Sequence, residues 1–198
     1  MANAAPTPAR LEAFSDGVIA VVITVMVLEI KVPPANGLEG LRQLTPALLI
    51  YLLSFAFTGI YWLNHQHLVR RVERAGHSMQ IANLGFLFCL SLLPLSTAYV
   101  VEKQLSGFAV AMYAVSLLIV ALSFMWLRLA VRGHLNRANA LLDEDRKGLR
   151  NHFFSVAFYA GCIIAAFFYP RITLIAIALL TFFWAIPNLS FRQVKAQL

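Results

Sequence analysis

The feature that most constrains this chain is a set of six predominantly apolar stretches, at residues 13–32, 44–63, 79–101, 107–130, 152–169 and 172–190. Each approaches the roughly 20 residues that a helix needs to cross a hydrocarbon layer about 30 Å thick. Between them they use most of the 198 residues, and the composition follows: 60% hydrophobic, 13% charged, with a mean hydropathy of +0.74. Soluble domains sit nearer 45–50% apolar and about 25% charged, so this chain has too little polar surface to cover itself in water. The expectation is an all-α integral membrane protein, with residues 1–198 forming a single six-helix transmembrane domain.

The connections support that map. Pro33 and Pro34, followed by Asn36 and Gly37, stop the first helix, because proline removes a backbone donor and crowds the preceding turn. Pro46 is expected in the first turn of helix two, where a missing N–H costs least. Glu102-Lys103-Gln104 and Pro170-Arg171 are tight links between antiparallel helices, and the polar stretch from Val131 to Asn151 is expected to hold a short surface helix. Val18 to Leu28 has the length of a signal-peptide core. It lacks a strongly basic lead and a small-x-small cleavage site, so it is read as a retained helix.

The net charge of +7 and pI near 9.9 would raise nucleic-acid binding in a soluble chain. Placing both termini in the cytoplasm puts twelve Lys and Arg on the inner side and four on the outer, accounting for all 16. That is the bias expected of cytoplasmic loops, so the basic balance reads as topology and no nucleic-acid partner is expected. Basic loops of this kind can also touch anionic lipid. Cys89 and Cys162 lie inside apolar stretches without metal-ligand spacing and are read as packing residues. No His-Glu-x-x-His, nucleophile triad or acidic metal cluster points to an intramembrane enzyme.

Polar groups within spans are costly and so are functional candidates. The first helix carries Arg10, Ser15, Asp16 and Thr24. Ser15 can be read as an N-cap and Thr24 as a hydroxyl bonded to the carbonyl one turn back. Asp16 and Arg10, six positions apart, each need partners elsewhere. Trp62, Asn64, His65, Gln66 and His67 at the end of helix two, with His77 and Asn83 of helix three, are available at the same membrane face. Two readings stand for this group: a structural network pinning helices one to three, or a gating or proton-sensing site. Zinc at His65 and His67 is disfavoured because i,i+2 residues diverge on a helix. Val21, Thr24, Val25 and Leu28 form one helical stripe by their spacing, which in a helix apolar all round indicates little beyond packing.

The sequence Arg10-x-x-x-Phe14-Ser15-Asp16, followed by Gly17 to Ile30, resembles the signature first helix of the transmembrane protein 175 family of lysosomal-type potassium channels, in its bacterial branch. Trp62 to His65 and Asn83 to Ala98 are similar to that family's second and third helices. The resemblance implies a homotetramer in a prokaryotic plasma membrane, with helix one of each subunit lining a central pore that passes K+ in preference to Na+. It implies no cofactor beyond the permeating ion. The family's pore positions fall on Val21, Thr24, Val25 and Leu28. Val21 is smaller than the Ile or Leu common at the narrowest position, and the chain carries no Thr-Val-Gly-Tyr-Gly filter of backbone carbonyls. The alternative is a proton or cation secondary transporter using Asp16 and the histidines as a relay.

Overall fold

The structure, a computed structural model, describes residues 8–73, 75–138 and 143–194, and the side chains within them except those of 143–145 and 186–194. It is all-helical among these residues: α1 Pro8–Leu28, α2 Gly37–Val69, α3 His77–Ser91, α4 Leu93–Glu102, α5 Gly107–Arg137, α6 Asp143–Phe168 and α7 Pro170–Val194. The third span is the α3–α4 pair. Five of the six spans are long and apolar enough to cross a membrane, and α7 adds a shorter apolar length, Pro170–Ala185, among its described residues.

Three expectations change in detail. Most helices outrun their apolar windows at one end or both, and α1 is the exception at its far end, stopping at Leu28 short of the expected residue 32 and before Pro33. Hydropathy reports where apolar residues end and not where a helix stops. Thus α2 begins at Gly37, whose φ of +64° suits glycine, and Pro46 lies inside the helix instead of in its first turn. The expected surface helix between Val131 and Asn151 is replaced by extensions of α5 to Arg137 and of α6 back to Asp143, leaving a connection whose residues 139–142 lie outside the described ones. The third span breaks at Leu92, where Pro94 cannot donate to the carbonyl of Leu90. Nearby, the hydroxyls of Ser96 and Thr97 both donate to the carbonyl of Leu93, at 3.0 and 2.9 Å.

Tight turns set the antiparallel order. α4 ends in a turn in which Gln104 and Leu105 take positive φ, and the amide of Leu105 donates to the carbonyl of Val100 at 3.0 Å. Ser106 then caps α5, its hydroxyl accepting from the amide of Ala109 at 3.4 Å. Tyr169 alone separates α6 from α7, which opens on Pro170. Two ion pairs mark the opposite ends of the bundle. Arg70 meets Glu12 at 2.7 Å, joining the end of α2 to the start of α1, and Lys31 meets Glu102 at 3.3 Å across the far end. Of the basic residues assigned to the inner side, Arg74, Lys195 and the side chain of Arg192 lie outside the described ones.

α1 packs on α2, α3 and α4, whereas α5 packs on α2, α3, α4, α6 and α7. The bundle interior is filled by aromatic rings. Tyr61 stands edge-on to Phe124 with centroids 5.1 Å apart, Phe86 makes a second edge contact with Phe124 at 5.1 Å, and Phe57 lies 4.7 Å from Tyr61. All four rings are buried. Such pairs add about 0.5–1.5 kcal/mol each beyond area burial.

Candidate functional site

α1 has two faces. Ser15, Ile19, Val22 and Met26, at i, i+4, i+7 and i+11, are buried against the chain's own helices. The opposite stripe is open: Val21 is 59% exposed, Leu28 80% and Phe14 56%, with Thr24 also exposed and Val25 half-buried. The stripe singled out by spacing therefore points away from the bundle. Arg10, at the basic end, is exposed too and makes no hydrogen bond or ion pair among the described residues. The hydroxyl of Thr24 donates back to its own helix, lying 3.1 Å from the carbonyl of Ala20 and 2.9 Å from that of Val21. Its proton is thus occupied while its oxygen lone pairs remain free to face a cation.

Behind that stripe, one polar network fastens α1. Trp62 Nε1 donates to Asp16 Oδ1 at 2.8 Å, a charge-assisted bond of the stronger kind. His65 Nε2 lies 2.7 Å from Asn83 Oδ1, and Asn83 Nδ2 donates to Ser15 Oγ at 2.9 Å. Ser15 Oγ in turn donates to the carbonyl of Leu11 at 2.8 Å. Since the Asn83 oxygen can only accept, His65 carries its proton on Nε2, and the chain of donors runs in one direction from α2 through α3 into the α1 backbone. Ser15, His65 and Asn83 are each no more than 1% exposed. His65 Nδ1 has no partner among the described residues, and its ring stacks at 15° on Phe86, 5.8 Å away.

The structure thus brings together Ser15, Asp16, Trp62, His65 and Asn83. It does not bring in Asn64, which donates to the carbonyl of Ile60 at 2.8 Å within its own helix, nor Arg10 and Phe14 on the open stripe. His67 and His77 are exposed, so His65 and His67 do not converge on a metal. Ser15 is not an N-cap, because α1 begins seven residues earlier, at Pro8; it back-bonds within the helix.

A second buried network was not singled out from the sequence. Ser54 Oγ lies 2.9 Å from both Thr97 Oγ1 and Tyr113 OH, and Thr97 approaches the Met26 sulfur at 3.9 Å. It ties α1 to α2, α4 and α5 nearer the far end. A serine, a threonine and a tyrosine in three separate apolar runs carry no periodic signal that would pair them.

The family model described as the endosomal/lysosomal potassium channel TMEM175 matches residues 10–94, which hold α1, the Trp62–His65 end of α2, Asn83 and the break at Leu92. A protein from Chryseobacterium sp. named as a potassium channel is 37% identical over 92% of this chain and 94% of its own length. The crystal structure of a lysosomal potassium-selective channel TMEM175 homolog from Chamaesiphon minutus superposes with a TM-score of 0.79 at 28% identity, covering 91% of this chain and 97% of that one. The mouse endosomal/lysosomal proton channel TMEM175 is 36% identical over half of this chain, which covers 21% of that longer protein. With a first helix fastened by its serine and aspartate, six spans and a full-length relative at this identity, the chain belongs to the TMEM175 family.

Proposed function

We propose that this chain is the subunit of a potassium-selective cation channel in a prokaryotic plasma membrane, both termini cytoplasmic, in which four copies of the single six-helix domain surround a pore lined by α1. The observation that carries the reading is the two-faced α1: one face is locked to its own bundle by hydrogen bonds, and the other presents Val21, Thr24, Val25 and Leu28 outward. Buried aromatic rings occupy the interior of the bundle around Tyr61 and Phe124, which favours an ion path between subunits. A four-fold ring of Val21 side chains excludes water when narrow and gates by dewetting. The Thr24 hydroxyls one turn further along are the side-chain oxygens that a partly dehydrated cation meets on this stripe. The Asp16 and His65 groups hold α1 in place, and no cofactor beyond permeant K+ takes part.

The experiment is flux from liposomes holding purified protein, with K+, Na+ or H+ as the sole permeant ion. Dissipation of a K+ gradient without a co-substrate, faster than for Na+, supports the channel. Obligatory coupling of two ions would instead establish the transporter reading. The proton arm matters because the mouse relative is named a proton channel: flux with H+ alone and none with K+ would overturn the potassium assignment.

A further inference from the structure

The exposed side chains of α5 form a stripe that changes character along its length. Ile119, Leu122, Trp126 and Leu129, at i, i+3, i+7 and i+10, are each 43–49% exposed. The stripe then continues into Gly133 and Asn136, which with Leu129 and Arg132 form an open, shallow face on one side of the helix. Depth explains the change. At 1.5 Å per residue the 31 residues of α5 span about 46 Å, half again the hydrocarbon thickness of about 30 Å. Counting roughly 20 residues from Gly107 brings the hydrocarbon boundary to the turn that holds Trp126, the residue type favoured at that interface. Arg132 and Asn136 then stand at headgroup level, with the apolar stripe running away from them into the acyl region.

The chemistry of this face is that of an anion receptor. Arg132 is half-buried and has no hydrogen bond or ion pair among the described residues. Asn136 is exposed and offers a carboxamide donor. Gly133 contributes no side chain, and a Cβ built there meets nothing within 4 Å, so the floor is open. Arg137 Nε donates to the carbonyl of Gly133 at 3.0 Å, holding a second guanidinium at the rim. A guanidinium fork matches phosphate oxygens in a bidentate manner, and basic pockets at this depth suit anionic headgroups.

We propose that this end of α5 is a binding site for an anionic glycerophospholipid, its phosphate held by Arg132 and Asn136 and one acyl chain lying along Leu129, Trp126 and Leu122. α5 itself is central, packed on α2, α3, α4, α6 and α7 and not on α1, so it is only the exposed stripe from Ile119 to Leu129 that lipid can reach.

The test is native mass spectrometry of the full chain titrated with phosphatidylglycerol or with phosphatidylcholine of the same acyl chains. Binding does not depend on conduction, so this result stands or falls apart from the channel reading. Wild type retains phosphatidylglycerol over phosphatidylcholine, and Arg132→Gln weakens phosphatidylglycerol about fivefold, the effect of one basic side chain near the surface. Gly133→Leu fills the open floor and weakens it as well, with Arg132 untouched. Arg146→Gln, the same charge change on the exposed start of α6, leaves retention near wild type. Equal losses in Arg132→Gln and Arg146→Gln would reduce the site to diffuse charge and overturn it. So would displacement of the lipid by millimolar inorganic phosphate, the mark of a free-anion site. Efficient disulfide cross-linking through Gly133→Cys in a background lacking Cys89 and Cys162 would overturn it too, since another copy would then cover the face.

Discussion

Replacing Asn83 with alanine removes the middle of the chain that joins His65 to Ser15, and the structure allows its cost to be worked out. Two side-chain hydrogen bonds vanish, at 2.7 and 2.9 Å. Inside a membrane such bonds average only about 0.6 kcal/mol each, because the unfolded chain in lipid also finds partners. The larger cost is what remains: His65, 0% exposed, keeps an N–H with no acceptor, worth about 1–3 kcal/mol. Asn83→Ala is therefore expected to lose about 2–4 kcal/mol. The triple variant Ser15→Ala, Asn83→Leu, His65→Phe replaces every partner with an apolar group and keeps a ring to stack on Phe86. Removing both sides of a buried pair can be nearly neutral, so the triple variant is expected to be more stable than Asn83→Ala alone. Reversible SDS unfolding in mixed micelles, followed by tryptophan fluorescence, measures both. A single-variant loss below about 0.5 kcal/mol, or a triple variant as costly as the sum of its three singles, would refute the idea of an interdependent network.

Ser54→Ala strands the hydroxyl of Tyr113, which is 0% exposed, and is expected to cost about 1–3 kcal/mol in the same unfolding assay; a loss within error of zero would show that the second network contributes nothing. Gly85→Ala brings a Cβ to 2.8 Å from the Trp126 ring, and overpacking of this kind costs about 1–3 kcal/mol, readable as a lower unfolding midpoint and a shifted tryptophan emission. If Val21 forms the proposed constriction, Val21→Asn places amides in it, and single-channel recording should find higher open probability and a smaller K+ over Na+ preference. Thr24→Val deletes the stripe's hydroxyl with little change in volume and should lower K+ conductance or selectivity, whereas Thr181→Val, whose hydroxyl is buried and bonded to the carbonyl of Ile177 at 2.8 Å, should leave conduction unchanged.

Much of this was legible in the sequence, for identifiable reasons. Apolar length is a one-dimensional property, so six spans could be counted, and Pro170 marks a real helix start, whereas α1 already ends at Leu28, ahead of Pro33-Pro34. Helix limits were less legible: nothing in α2 or α5 stops the helix where hydrophobicity ends, and the polar turns around Asn64 and Arg132 remain helical. The break at Leu92 had its cause in plain view at Pro94. Within the polar group, residue type indicated that Asp16 and Arg10 need partners and that the histidines and carboxamides of helices two and three could supply them. Asp16 finds one in Trp62, whereas Arg10 is exposed and Ser15, read as an N-cap, belongs to the network instead. Residue type could not say which donor meets which acceptor, and so could not separate Trp62, which reaches Asp16, from Asn64, which turns back on its own helix. The Ser54, Thr97 and Tyr113 cluster was invisible for the same reason, since it depends on the relative rotation of three helices.

The most direct test of the central claim, that α1 lines the ion path, is silver block of Thr24→Cys channels in a background lacking Cys89 and Cys162, recorded in symmetrical K+. A cysteine on a water-filled pore ionises and captures Ag+, so the account predicts rapid, lasting block of Thr24→Cys and no effect on the cysteine-free parent. A cysteine at the buried position Val22, on the opposite face of the same helix, should remain unreactive. Undiminished K+ current through Thr24→Cys channels exposed to Ag+ from either side would contradict the account.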